Sequence, residues 1–371
     1  MPISVFAKLS AIIFLGFVNS VMSGEWDTPA RYLFSASNGG QQLAVIDTKE
    51  NILVGQVDLA QPINEIAVSA FGNHAYLGHA EHKSVSVVDL SAGKYSHSVA
   101  LPMAPRHMTS DSYAGLLITD SVEGGMVRIG LGGKKIIFHN SDIPPANDVI
   151  MSPSGVVAYW ASGSGAEIGA VSVEDGKELW RHKIADHPVK VNPLVRSLDG
   201  LFIVATLPEE GRLITVDAGN GELLLRKQLG KGLQRPYVTA NGQYFLIPET
   251  SSRQLHIYSQ VTLQVVDAIN LPEKTPLVTA GFFDIIGLGY ADKAAYAFDL
   301  MNPHAKKPTT IPLPAQAFDA IVTSDSQHAY AALPMANAIA HISLKNGKMQ
   351  LIEGIASPHF VEMGASNAVC H

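Results

Sequence analysis

Asn241–Asn270 reads NGQYFLIPETSSRQLHIYSQVTLQVVDAIN, and its alternation decides the fold. Asn241-Gly242 opens it with a turn, Gln243–Pro248 is an apolar run, and Glu249–Gln254 is a polar loop. Leu255–Tyr258 and Val265–Ile269 then alternate on either side of a second polar turn. Short strands joined by tight turns fit this pattern, whereas the 3.6-residue period of a helix does not. The strands expected, termed b, c and d, are Tyr244–Ile247, Leu255–Tyr258 and Gln264–Ile269, with an a strand near Leu277–Ala280. A single meander of this kind cannot bury both its faces, so it needs copies of itself.

Copies follow at regular intervals. Units that begin near Ala30, Asn73, Gly115, Val156, Leu201, Gln243, Ile285 and Gln327 share a small residue, a polar turn and an apolar strand. Their starts are separated by roughly 41 to 45 residues, the period of a propeller built from four-stranded blades. The last unit retains all four strands, at His328–Leu333, Ala338–Ser343, Lys348–Ile352 and His359–Met363. The expected fold is therefore all-β: a single eight-bladed β-propeller of four-stranded antiparallel blades, with seven blades as the alternative. Because the chain begins on b, c and d and ends on an a strand, the C-terminal strand should join the first blade and satisfy both exposed edges.

The N-terminal residues 1–23 have the form of a signal peptide. Lys8 precedes an apolar stretch from Leu9 to Val18, and Val21-Met22-Ser23 offers small residues before Gly24. The apolar core is short for a membrane span. Export to the periplasm or the exterior is expected, with no membrane span after cleavage and residues 24–371 forming the propeller. Removing Lys8 from the 26 bases leaves 25 against 33 acids, a charge of about −8. No basic stripe is available for phosphates, which argues against nucleic acid. Apolar residues make up 47% of the chain and charged ones 16%, as suits a sheet protein with much buried surface.

The lone cysteine, Cys370, excludes an internal disulfide framework. With His371 it ends the segment Asn367-Ala368-Val369-Cys370-His371, which has the form of a haem c attachment sequence with Asn367 in place of the first cysteine. Two thioether bonds are excluded. The pair is either a soft-metal or intermolecular contact, or a plain tail.

The d–a connections and b–c loops of a propeller surround one mouth of its central channel, where loops on a rigid scaffold carry function. About four places before the end of the a strand, in five of the units, stand Glu65, Arg106, Asp148, Arg235 and Asp319, with His107 after Arg106 and His359 close by in the last unit. Charges there either pair with one another or line a polar funnel that holds a ligand. Gly78-His79-Ala80-Glu81-His82 falls in the second b–c loop. His79, His82 and His107 together would suit zinc, copper or a haem iron, unless they are simply solvated. His187, before the fourth a strand, is a second-rank candidate. No Gly-x-Ser-x-Gly elbow, phosphate loop or dinucleotide fingerprint occurs.

The repeats resemble those of the YVTN-type propeller superfamily. Leu43-Ala44-Val45-Ile46-Asp47-Thr48 and Val85-Ser86-Val87-Val88-Asp89-Leu90 match its c-strand ending, and Thr239–Tyr244 and Met151–Gly155 match its a–b turn. With eight units the chain is most similar to the haem-binding propellers of cytochrome-type nitrite reductases (cytochrome d1-like) and of the periplasmic proteins that assist assembly of that haem. The resemblance implies His79 or His82 as a ligand to iron, with Arg106, His107 and Arg235 gripping the acid groups of the macrocycle. It departs from that family in having no cytochrome c domain before the propeller and no pair of haem-attachment cysteines.

The expected function is thus an exported binding propeller holding a metal ion or a metallated, haem-like tetrapyrrole at the channel mouth, in cofactor assembly, transfer or sensing. An oxidoreductase or lactonase-like hydrolase would use the same funnel, with Glu65, Asp148 or Asp319 as acid–base groups. A scaffold for another periplasmic protein is the third alternative.

Overall fold

A computed structural model describes residues 26–364, apart from 29, 70, 112–114, 164–165, 282–285, 303 and 305–306. The expected signal segment and the Cys370-His371 tail lie outside the described residues. The chain forms eight four-stranded antiparallel sheets, and each is one blade of a closed ring. The quoted stretch supplies Tyr244–Glu249, Gln254–Ser259 and Gln264–Asn270 of the sixth blade, a residue or two longer than the sequence alone suggests.

Closure occurs as the strand order requires. Phe360–Glu362 pairs antiparallel with Tyr32–Ala36, so the last strand becomes the innermost strand of blade 1. Ser35 Oγ donates to the Phe360 carbonyl at 2.7 Å, and the His359 N–H donates to the Ala36 carbonyl at 2.9 Å. These bonds satisfy the edge that an open ring would leave bare.

The core lies between blades. Its buried side chains fall into eight clusters, one for each seam of the ring. In the b strand His328–Leu333, Ala329, Ala331 and Leu333 pack toward blade 7, while Tyr330 and Ala332 pack toward blade 1. Both faces are buried, so middle strands read as nearly continuous apolar runs. Outer strands are polar, as in the exposed Lys94–Ala100. In six blades the register shifts once between the c and d strands, for example at Val87/Val88 and Ile257/Tyr258. Such bulges twist the outer edge and hinder pairing with another chain.

The recurring turn residues also have a mechanism. Asp47, Asp89, Asp217 and Asp299 end c strands, and each accepts backbone N–H groups of the turn that follows. Ser69, Ser197, Thr239 and Thr323 do the same at the a–b turns.

Candidate functional site at the channel mouth

The same backbone bond fixes the register of most inner strands. The N–H groups of Asn64, Arg106, Gln234 and Phe318 each donate to a carbonyl near the end of their blade's b strand, at 2.8 to 3.2 Å. The next residue in each case is Glu65, His107, Arg235 and Asp319, so these four occupy equivalent places around the channel. Asp148 joins them in blade 4, one residue past a register shift in its strand. Arg106 falls one place earlier, and its side chain turns away from the ring. Its Nε donates to Asp120 Oδ1 at 3.1 Å, and that carboxylate is fully buried.

Alternation then decides which way each group faces. Ile66 and Val149, each one residue after a ring carboxyl, pack toward the preceding blade. The carboxyls themselves, one position before them, therefore face the following one. Asp148 Oδ2 accepts the Leu194 N–H of blade 5 at 2.7 Å, and Asp319 Oδ2 accepts the Val361 N–H of blade 1 at 3.0 Å. Both aspartates thus tie neighbouring inner strands together.

The third position of the closing strand is Glu362, a residue the sequence reading did not single out. Its signal was present: it stands two places after Phe360, on the same side of the strand. Glu362 lies between blade 8, which carries Asp319, and blade 2, which carries Glu65, and it feels both charges. Glu65 accepts only the N–H of the adjacent Ile66, at 3.3 Å, and Glu362 likewise bonds the N–H of its neighbour Met363.

Arg235 completes the ring from blade 6, across the channel from Glu65. Its guanidinium is exposed to the lumen and has no hydrogen bond or ion pair among the described residues. Its charge nevertheless acts on Glu65, Asp148, Asp319 and Glu362. Burial outweighs it at all four. Desolvation pushes Glu65 and Glu362 up to about 8, where neighbouring carboxylates add to the shift, and pushes Asp319 up to about 6. Asp148 also moves upward through burial. His107 moves downward through burial, against the pull of Asp148 and Asp120. Near neutral pH the ring therefore carries less negative charge than its four carboxyls suggest. A cavity of about 330 Å³ opens here, lined by Arg235, Tyr237, Asp319 and Glu362 with Val195, Pro236 and Leu277 as apolar walls.

The histidines do not converge as a set. His79 is fully buried inside blade 2. Its Nδ1–H donates to the Pro62 carbonyl at 2.7 Å, which leaves Nε2 to accept the Ser86 hydroxyl at 2.8 Å. Both ring nitrogens are thus used, and none is left for a metal. His82 is exposed on the following loop. Among the described residues no group of three or more His, Cys, Asp or Glu side chains is placed to hold a metal ion. His187 sits 2.8 Å from Glu210, beside Arg212.

His359 has a different arrangement. Its Nδ1–H donates to the Ser357 carbonyl at 2.7 Å, which fixes the tautomer and leaves Nε2 as a free acceptor. Its ring meets the edge of Phe318, 4.9 Å away, and Phe318 is 61% exposed. A pinned imidazole beside a bare aromatic ring thus stands one residue outside the channel ring on blades 1 and 8.

No family model and no curated protein matches the chain, so the likeness to the YVTN pattern stands on the repeats. Solved structures do match. The dihydro-heme d1 dehydrogenase NirN, in complex with DHE, aligns with a TM-score of 0.74 at 11% identity, over 91% of this chain and 76% of that one. Citrobacter koseri AztD aligns at 0.66 and 13%, over 89% and 96%. Kuenenia stuttgartiensis hydrazine synthase aligns at 0.60 and 16%, over 90% and 99%. At these identities the likeness is one of fold, and the ring resembles that of NirN.

Proposed function

We propose that this chain is an exported binding propeller that holds a metallated tetrapyrrole at its channel mouth. His359 Nε2 would offer a nitrogen donor to its metal, Phe318 an apolar face to its ring, and Arg235 a cation to one of its acid groups. His107, Glu65, Asp148 and Asp319 would complete the polar wall. The observation that carries this reading is His359, whose Nδ1–H is spent on the Ser357 carbonyl while Nε2 is free. A ring nitrogen held in this way is fixed in tautomer and orientation, as in metal-ligating histidines generally. A macrocycle that brings its own four nitrogens asks the protein for one axial donor, whereas a bare ion asks for several. The absence of a three-residue metal group among the described residues therefore favours the tetrapyrrole over zinc or copper alone.

The unpaired guanidinium of Arg235 adds to this. It offers planar, bidentate recognition of a carboxylate, and no described side chain occupies it. Exposed Phe318 offers a flat apolar surface to a conjugated ring. NirN, whose fold this chain shares, is in complex with DHE, which supports a haem-like ligand for a propeller of this kind. Bound, such a group supplies its own redox and ligand-exchange chemistry; the residues here bind and orient it. A role in cofactor assembly, transfer or sensing follows, in the periplasm or outside the cell.

Titration of the purified protein with iron(III) protoporphyrin IX, followed by absorbance, tests the proposal. The wild type should shift the Soret band at one equivalent, and H359A should bind without the axial-ligand shift. No shift and no retention by the wild type would overturn it. An enzyme is the second reading, favoured by Glu65, whose carboxyl burial pushes up to about 8. It predicts loss of turnover in E65Q or D319N with ligand binding intact.

A further inference from the structure

The four carboxyls of the channel ring fall into two kinds. Asp148 and Asp319 each receive an N–H from the next blade's inner strand, so their oxygens serve the scaffold. Glu65 and Glu362 receive only the N–H of the residue that follows them and reach across no seam. Glu362 lines the same cavity as Arg235, and Glu65 is near enough to interact with both charges. We infer that Glu362 and Glu65 belong to the ligand site as protonated carboxyls that donate hydrogen bonds to an acid group of the ligand, beside the guanidinium of Arg235, and that the ligand is released when they ionise. This rests on the reading of the mouth as a site for an acid-bearing tetrapyrrole.

The electrostatics of every facing element agree. Glu362 faces Asp319 from one side, Glu65 from the other and Arg235 across the lumen. Glu65 feels Asp319, Asp148 and Arg235. Two ionised glutamates would add negative charge to a wall that already carries two aspartates, with one guanidinium against them. A protonated carboxyl instead presents an O–H donor to a carboxylate, in the way that apolar sites keep an acid neutral for hydrogen bonding. Burial holds both glutamates near 8, so ionisation falls between about pH 7 and 9. Asp319 titrates below this window, at about 6, and His107 is pushed down and away from it.

The test measures the Kd of zinc protoporphyrin IX by fluorescence at pH 6.5 and 9.5, with its dimethyl ester as a probe lacking acid groups. The wild type should bind the diacid at least about tenfold more tightly at pH 6.5, the equivalent of one unit of proton linkage. E65Q/E362Q, which cannot ionise, should bind at both values with less than about a threefold difference, and the ester should show little pH dependence with the wild type. Binding of the diacid that is equal at both pH values, or a double variant that keeps the full pH dependence, would overturn the inference. Absence of binding at both pH values would instead overturn the tetrapyrrole reading. If the double variant does not fold, each single variant should lose part of the pH dependence, and an unchanged dependence in both would overturn the inference equally.

Discussion

Asp319 Oδ2 accepts the N–H of Val361 at 3.0 Å, so a blade 8 side chain holds the strand that closes the ring. Asp319 Oδ1 accepts the N–H of Ala320 at 2.9 Å. D319A should lose about 1–3 kcal/mol, the usual cost of leaving a buried donor unsatisfied. D319N removes the charge but keeps only one accepting oxygen and turns its NH2 toward the second N–H, so at pH 8 its stability should fall between those of D319A and the wild type. Urea denaturation of the three proteins measures both effects.

Glu65 and Glu362 give the fold a pH dependence of definite sign. Their folded values, about 8, lie above the ordinary 4.5, so the native state retains protons that the unfolded state gives up between these limits. Stability is therefore full below about pH 4.5 and falls as the pH rises through about 8. E362Q should raise Tm at pH 8.5 by about 2–5 °C and change it little at pH 4.5, which calorimetry at the two values will show. The opposite trend would place the glutamate in an ion pair.

The bonds of His79 to Pro62 and Ser86 make it a part of the blade interior. H79A should cost about 1–3 kcal/mol, whereas H82A on the exposed loop should stay within about 0.5 kcal/mol. Tetrapyrrole uptake should survive both substitutions. Loss of uptake in H82A with unchanged stability would return that loop to the site.

Arg106 neutralises the buried Asp120, whose Oδ2 has no partner while Oδ1 takes both Arg106 Nε and the Val122 N–H. R106A should destabilise by about 2–3 kcal/mol, because it strands a buried charge. R106A/D120N should recover much of that loss. Additive losses in the double-mutant cycle would show that the pair is not coupled.

At the ligand site, R235A should weaken binding of iron(III) protoporphyrin IX by about tenfold or more with only a small loss of Tm, since the guanidinium makes no hydrogen bond to a described group and acts on the ring carboxyls through its charge alone. R235K should recover only part of the loss, because a lysine cannot present the bidentate fork. Equal binding by the wild type and R235A would remove Arg235 from the site.

Much of the fold was legible in local pattern. Tyr244–Glu249 and Gln254–Ser259 follow from alternation and turn residues, and the expected a strand Leu277–Ala280 is found with the same bounds. The charged ring was also visible, because Glu65, Asp148, Arg235 and Asp319 fall at equivalent distances before the a–b turns. Arg106 and His107 were harder to assign, since a one-residue difference in register decides which of them joins the ring. Glu362 was missed for a related reason. It lies two places further along its strand, and its channel position exists only once Phe360–Glu362 has paired with blade 1.

The histidines mark the limit of the sequence. Spacing placed His79, His82, His107 and His359 near one mouth, but spacing carries no information about what a ring nitrogen bonds. The sequence by itself determined the repeat, the eight blades and the closure, because those follow from the period of apolar residues and from the order of strands. Only the tertiary structure decided that His79 is spent on Pro62 and Ser86, that Arg106 is spent on Asp120, and that His359 and Arg235 remain free. Partners of that kind come from neighbouring blades and distant loops, and hydrogen bonding acts over about 3 Å, a scale that no repeat length specifies.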